Sequence, residues 1–195
     1  MAGPSGVAAW AEAALALTGT LRLARGDRGA LACFNATEEG FWHSFRAAVL
    51  CYPMFVLLLV FPVEIGTADE GHSWSYFIVE TIRFVIAWTA FPLVALPLAN
   101  WLGRGDRFLL FMTVYNWCQV PQTVAFTAVT MLGALGALPP EGVLLGDLVV
   151  GIGSLVYEWY VSRVALAVSG PQAGLVILID VVLATALSHV ATTLY

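Results

Sequence analysis

Long apolar stretches alternate with short polar ones along the chain from about residue 37 onward. The five apolar segments cover approximately residues 39–62, 74–102, 107–138, 140–169 and 172–195. At about 1.5 Å of rise per residue, a helix over any of these segments would cross a hydrocarbon core roughly 30 Å thick. The pattern therefore predicts an all-α fold, a polytopic transmembrane bundle with five spans.

Residues 1–36 form a separate N-terminal segment, in which residues 7–25 are expected to form an amphipathic helix. Its larger apolar side chains stand among alanines, and the helix ends in Arg22 and Arg25. It is short and rich in alanine, which leaves two interpretations open. Either it lies in the membrane interface as an amphipathic helix, or it packs on the cytoplasmic face of the bundle.

Capping residues and prolines suggest where the segments begin and bend. Thr37 or Asn35 can cap the first span, and Pro140 is well placed to start the fourth. Prolines lie inside the first three spans, at Pro53, Pro92, Pro97 and Pro121. We expect the third span to be broken near Pro121, because proline removes a helical hydrogen bond.

Composition supports the membrane assignment and gives an orientation. The chain is 60% hydrophobic and 11% charged, whereas a soluble domain is about a quarter charged. All eight basic residues are arginines, and those in or near the loops occur in alternate ones: Arg22, Arg25 and Arg28, then Arg104 and Arg107, then Arg163. The positive-inside rule then places the N-terminus in the cytoplasm and Tyr195 outside. A lysine-free chain rich in alanine and glycine suggests a GC-rich bacterium, so we expect the bacterial inner membrane.

Seven ionisable side chains fall at membrane depth, where each costs roughly 2.5–3.5 kcal/mol on insertion scales. An outer layer contains Glu80, Arg83, Asp147 and His189, and an inner layer contains Arg46, Glu158 and Asp180. Such charges are expected to face the bundle interior and to pair. They either hold helices together or form an ion or proton path.

Spacing suggests specific pairs within these layers. Glu80 and Arg83 are three residues apart and share a helix face, and Asp147 is a second expected partner of Arg83. For Arg46, the expected partner is Glu158 or Asp180. Asp180 alternatively stays protonated, since a carboxylate is costly in hydrocarbon.

Polar residues also form stripes on the third and fourth spans. Asp147, Gly151, Ser154 and Glu158 recur at helical spacing on one face of the fourth span. Beside Pro121, a candidate polar path comprises Asn116, Gln119, Gln122 and Ser154. Broken helices near the bilayer midplane form transporter sites. The ordinary interpretation of the pattern is a proline kink whose carbonyl is satisfied by a neighbouring side chain.

No catalytic residues, metal site or cofactor are predicted, and we expect a protein that is not an enzyme. Cys33, Cys51 and Cys118 lack metal-binding spacing. His43 and His189 fall at opposite ends of the bundle, which excludes a shared haem. The acidic loop with Asp69, Glu70 and His72 is better explained by solvation than by a metal.

The stretch FNATEEGFWHSF, residues 34–45, resembles a segment of a family of small polytopic inner-membrane proteins of alphaproteobacteria. The junction RVALAVSGPQA, residues 163–173, is similar to the same family, and the layout loosely resembles that of Yip1-type membrane proteins. The resemblance implies an inner-membrane bundle and no particular activity.

Two functions agree with these patterns. The first is a non-enzymatic accessory or scaffold subunit that binds lipid or a protein partner, because the loops leave little room for an extramembrane domain. The alternative is a small transporter or channel with a polar path along spans three and four. The expected partners are the lipid bilayer and a protein partner or a second copy of the chain. No basic tract points to nucleic acid, and the net charge is −5.

Overall fold

The computed structural model describes residues 4–61 and 74–194, and within them it is entirely helical apart from turns. The helices are α1 (Pro4–Ala24), α2 (Glu38–Ser44), α3 (Arg46–Val60), α4 (Trp74–Trp101), α5 (Phe108–Ala134), α6 (Pro140–Ala165) and α7 (Gly170–Thr192). Short 3-10 turns occupy Arg28–Cys33 and Gly105–Arg107. The all-α prediction is confirmed for these residues. The acidic loop with Asp69, Glu70 and His72, and also Tyr195, lie outside them.

Four helical segments are long and apolar enough to cross a membrane: Glu38–Val60, Trp74–Trp101, Pro140–Ala165 and Gly170–Thr192. They correspond to the predicted first, second, fourth and fifth spans. Their surfaces expose many large apolar side chains, such as Leu93, which is 74% exposed, and Val149, which is 62% exposed. Exposed apolar faces of this extent are typical of membrane-facing helices.

The remaining long helix, α5, lies at the centre of the bundle and contacts α1, α2, α3, α4 and α6. With 27 residues, α5 is long enough to cross a membrane. Its polar residues make it less apolar than the four segments named above. Phe111, Met112 and Trp117 on this helix are almost completely buried. Because protein surrounds α5 on most sides, neighbouring helices can satisfy its polar groups.

The predicted first span consists of two helices, because α2 ends at Ser44 and α3 begins at Arg46. The Ser44 hydroxyl donates to the Phe41 carbonyl at 2.6 Å and accepts from the Asn116 amide of α5 at 2.8 Å. These bonds hold the junction against the central helix. At the start of α2, the Thr37 hydroxyl accepts from the Gly40 N–H at 3.1 Å, so the predicted Thr37 cap is confirmed.

One predicted feature of the later segments is wrong, and two approximate boundaries shift. Helix α5 continues through Pro121 instead of breaking there, and the Gln122 amide donates to the Cys118 carbonyl at 3.1 Å in the same stretch. Helices α5 and α6 end at Ala134 and Ala165, four residues earlier than expected. Gly136, at φ +71°, makes the turn after α5, where the left-handed conformation stops the helix.

Helix α1 packs on the bundle, as one of its two interpretations expects. Its buried face is formed by Ala13, Ala16, Thr20 and Leu23. Near the start of this buried face, Glu12 contacts His43 and Arg46 at the α2–α3 junction. Near the C-terminal end of α1, two tyrosines of α6 donate hydrogen bonds to backbone carbonyls. The Tyr157 hydroxyl donates to the Thr20 carbonyl at 2.8 Å, and the Tyr160 hydroxyl donates to the Gly26 carbonyl at 3.0 Å. Helix α1 therefore crosses α5 from the α2–α3 junction to α6.

Candidate functional site

A cavity of about 330 Å³ lies in the middle of the bundle, and α3 to α7 all contribute to its lining. Its polar wall consists of Tyr115, Asn116, Gln119, Thr123, Glu158 and Asp180. Its aromatic wall on α4 consists of Phe84, Trp88 and Phe91. We call this space the central cavity.

Helical spacing brings the polar wall together. Tyr115, Gln119 and Thr123 follow at steps of four along one face of α5, which places them above one another. Asp180 lies about 15 Å along α7 from its start, at 1.5 Å per residue. Glu158 lies in the second half of α6, which runs antiparallel to α7. Both carboxylates therefore reach the cavity well inside their helices.

The two cavity carboxylates are held by neutral donors. The Tyr115 hydroxyl donates to Asp180 Oδ2 at 2.5 Å, and Gln119 Nε2 donates to Glu158 Oε1 at 3.3 Å. Glu158 is only 9% exposed, and it lines the same cavity as Asp180. Within residues 10–61 and 74–194, no arginine or histidine lies within ion-pair distance of either carboxylate.

The predicted pair of Glu80 and Arg83 is confirmed and differs sharply from the cavity carboxylates. Arg83 Nε and Nη2 both lie 2.6 Å from Glu80 Oε2, and Glu80 is 5% exposed. The Arg83 guanidinium also lies 5.7 Å from the centre of the Phe55 ring. The predicted contact of Arg83 with Asp147 is wrong, because no ion pair joins them in the described part of the chain.

The prediction that Arg46 pairs with Glu158 or Asp180 is also wrong. Arg46 Nη1 lies 3.7 Å from Glu12 Oε2, and the same oxygen lies 2.8 Å from His43 Nδ1. Helix α1 supplies this carboxylate, although the sequence prediction had left α1 outside the charge layers. The cation expected to compensate the cavity carboxylates is therefore engaged elsewhere.

A second space continues from the central cavity along α5 and α6 as a groove of about 540 Å³. Both spaces share Gln119, Thr123 and Glu158 in their linings. The groove adds Gln122, Asp147 and Ser154. We call it the polar groove.

The candidate path residues occupy these two spaces. Asn116 and Gln119 line the central cavity, while Gln119, Gln122 and Ser154 line the polar groove. Asp147 also lines the groove, and its Oδ1 is buried with no hydrogen-bond partner among the described residues. Polar residues of the stripes on α5 and α6 thus line two adjoining spaces.

Comparisons with protein-family models, curated proteins and solved structures gave no match. The resemblance to the alphaproteobacterial family and to Yip1-type proteins stays a prediction. Function has to be inferred from the charges and spaces inside the bundle.

Sequence reasoning missed the aromatic wall and the role of Tyr115. Phe84, Trp88 and Phe91 recur at helical spacing on α4, a pattern that lipid-facing aromatics share. The Tyr115 hydroxyl contacts Asp180 across 65 positions of sequence. The available signal was the spacing of Tyr115 to Gln119 and Thr123 on one face of α5.

Proposed function

We propose that this chain is a small transporter or channel of the bacterial inner membrane, with a path through the central cavity and the polar groove. The observation that carries the proposal is the pair Glu158 and Asp180, two carboxylates held by neutral donors at one cavity. In this proposal α5 is the fifth crossing helix. The proposal also puts the N-terminus in the cytoplasm, which the arginine pattern supports.

The electrostatics favour a functional role over a structural one. A charge removed from water costs several kcal/mol unless a partner compensates it. Glu80 has such a partner inside the protein, the guanidinium of Arg83. For Glu158 and Asp180, the compensating charge has to come from a proton or from a bound cation. A reversible compensating charge is what a coupled transport site requires.

The accessory or scaffold role, with lipid or a protein partner, stays a prediction. It would be favoured by an interior whose polar groups are all paired. The described interior instead contains three buried side-chain oxygens without a partner, on Thr113, Asp147 and Ser162. Two lined spaces next to a carboxylate pair are also more than helix packing requires.

Transport can be tested by reconstituting the purified chain in proteoliposomes. Solid-supported membrane electrophysiology would record charge movement after jumps in pH and after addition of alkylammonium, carboxylate and sugar solutes. We expect a protein-dependent signal for at least one of these, reduced at least tenfold in Glu158→Gln and in Asp180→Asn. Glu141→Gln is the matched control, because it makes the same change in the exposed first turn of α6.

The proposal would be contradicted by either of two results. One is wild-type protein that gives no signal above empty liposomes for any pH jump or solute. The other is a signal that both cavity variants retain at the level of Glu141→Gln.

A further inference from the structure

The central cavity has one acidic side and one aromatic side. Glu158 on α6 and Asp180 on α7 form the acidic side. Opposite them, α4 contributes Phe84, Trp88 and Phe91. Tyr115 joins both sides, because its hydroxyl donates to Asp180 while its ring centre lies 4.5 Å from that of Phe91.

We propose that the central cavity binds an organic ammonium ion, a protonated amine that carries a small apolar group. The proposal rests on the proposed function, because it names the class of solute for that same site. In the bound state the ammonium group lies between the two carboxylates, and the apolar group lies against α4.

Charge is the first reason. None of the described residues that line the central cavity is basic. Three arginines lie within five residues of a cavity residue. Arg46 and Arg83 face other carboxylates, Glu12 and Glu80. Arg163 is exposed and lies over the Trp159 ring. A ligand cation would therefore meet two carboxylates without competing with an internal one, in surroundings of low dielectric where attraction is strong.

The aromatic wall is the second reason, and it does not depend on the carboxylates. The Phe84 and Trp88 ring centres are 5.9 Å apart, and Phe91 contacts the Tyr115 ring. Aromatic faces attract cations, and sites for quaternary and methylated ammonium ions are formed from such rings. An anion would gain nothing comparable from this wall beside two carboxylates.

Size and donor set distinguish an organic cation from a metal ion. The cavity volume of about 330 Å³ falls in the range of small-molecule pockets, roughly 300–1,000 Å³. Calcium and magnesium need about six or more oxygen ligands at short distance. A wall of aromatic carbon on one side offers no such ligands.

Binding can be measured by isothermal titration calorimetry on the detergent-solubilised full chain at pH 7. The three probes share one ring and differ in charge: benzylammonium, benzyl alcohol and benzoate. We expect saturable binding of benzylammonium and affinities at least tenfold weaker for the alcohol and for benzoate.

Two variants and their matched controls assign the binding to the cavity. Asp180→Asn should weaken benzylammonium at least tenfold, while Glu141→Gln leaves it unchanged. Trp88→Leu should weaken it about fivefold, while Trp101→Leu, at a side chain on the same helix that is 74% exposed, does not. Asp180→Glu keeps the charge and should retain measurable binding, which separates loss of charge from loss of fold.

The outcomes separate this inference from the proposed function. Equal binding of benzyl alcohol and benzylammonium, or tighter binding of benzoate, overturns the ammonium site. Charge movement after pH jumps without any benzylammonium binding also overturns it, and leaves transport of protons standing. Benzylammonium binding without charge movement for any solute supports the ammonium site and contradicts transport.

Discussion

Carboxylates inside this bundle are held in two different ways. Glu80 has a cation of its own, because two nitrogens of Arg83 lie 2.6 Å from one of its oxygens. Among the described residues, Glu158 and Asp180 have neutral donors instead, such as the Gln119 amide and the Tyr115 hydroxyl. In the first arrangement, which we call complete, an internal cation neutralises the carboxylate and stabilises helix α4. In the second, which we call incomplete, the carboxylates line a cavity, where a proton or a bound cation can neutralise them.

The largest effect is expected from removing the cation of the complete pair. Arg83→Met leaves Glu80 buried without its guanidinium, which should cost about 3 kcal/mol or more of stability. The measurement is thermal unfolding in detergent, followed by size-exclusion chromatography. In the double variant Glu80→Gln/Arg83→Met, most of the lost stability should return. A single variant as stable as wild type would mean that the pair contributes nothing structural.

A smaller loss is expected at the second cation-paired carboxylate, Glu12. It bonds with His43 at 2.8 Å and lies 3.7 Å from Arg46. Since hydrogen bonds to charged groups contribute about 1.5–3 kcal/mol, Glu12→Gln should cost about 1.5 kcal/mol in the same unfolding measurement. Limited proteolysis should show faster cleavage between α1 and α2. Unchanged cleavage would contradict the docking of α1 through Glu12.

The pairs show how far sequence can take such a comparison. Glu80 and Arg83 are three residues apart on one helix, so local geometry alone predicts their contact. Glu12 and Arg46 are far apart in sequence, and their contact depends on the path of α1 across α5. Nothing in the local pattern contains that path, so the predicted partners of Arg46 were wrong.

The same limit applies to the central helix and to the cavity. The length and boundaries of α5 were close to prediction. Its central position was not predicted, because periodicity does not say which helices surround a segment. The candidate path residues Asn116, Gln119, Gln122 and Ser154 lie on the two spaces that the structure forms. The aromatic wall was not predictable, since an aromatic stripe on α4 has the same spacing whether it faces lipid or a cavity.

Neutralising the incomplete carboxylates should hardly affect stability. Asp180→Asn and Glu158→Gln keep the shape of the side chains and remove a charge without an internal cation, so unfolding should change by no more than about 1 kcal/mol in either direction. This result, beside the loss of function in the same variants, would sharpen the contrast with Arg83→Met. If either amide variant proves as unstable as Arg83→Met, the two groups of carboxylates are not different in kind.

The smallest effect is expected at an exposed pair outside the bundle. Hydrogen bonds from the Arg22 guanidinium hold the pKa of Asp27 below its usual range. The stabilisation is therefore complete at neutral pH and is lost as pH falls through this lowered pKa. Asp27→Asn should lower the melting temperature slightly at pH 7 and not at all at strongly acidic pH. A larger effect at acidic pH would contradict the assignment.

Access of water to Glu158 and Asp180 is the most direct test of the whole account. Ala184 and Ala186 lie on the same helix, α7, but only Ala184 lines the central cavity. The native Cys51 also lines that cavity, so both variants are made in a Cys51→Ala background. Single cysteines at these positions can be treated, in lipid vesicles, with a charged methanethiosulfonate reagent that does not enter hydrocarbon. We predict clear labelling of Ala184→Cys over the Cys51→Ala background and none of Ala186→Cys. Equal labelling of the two, or none of either, would contradict a hydrated acidic cavity.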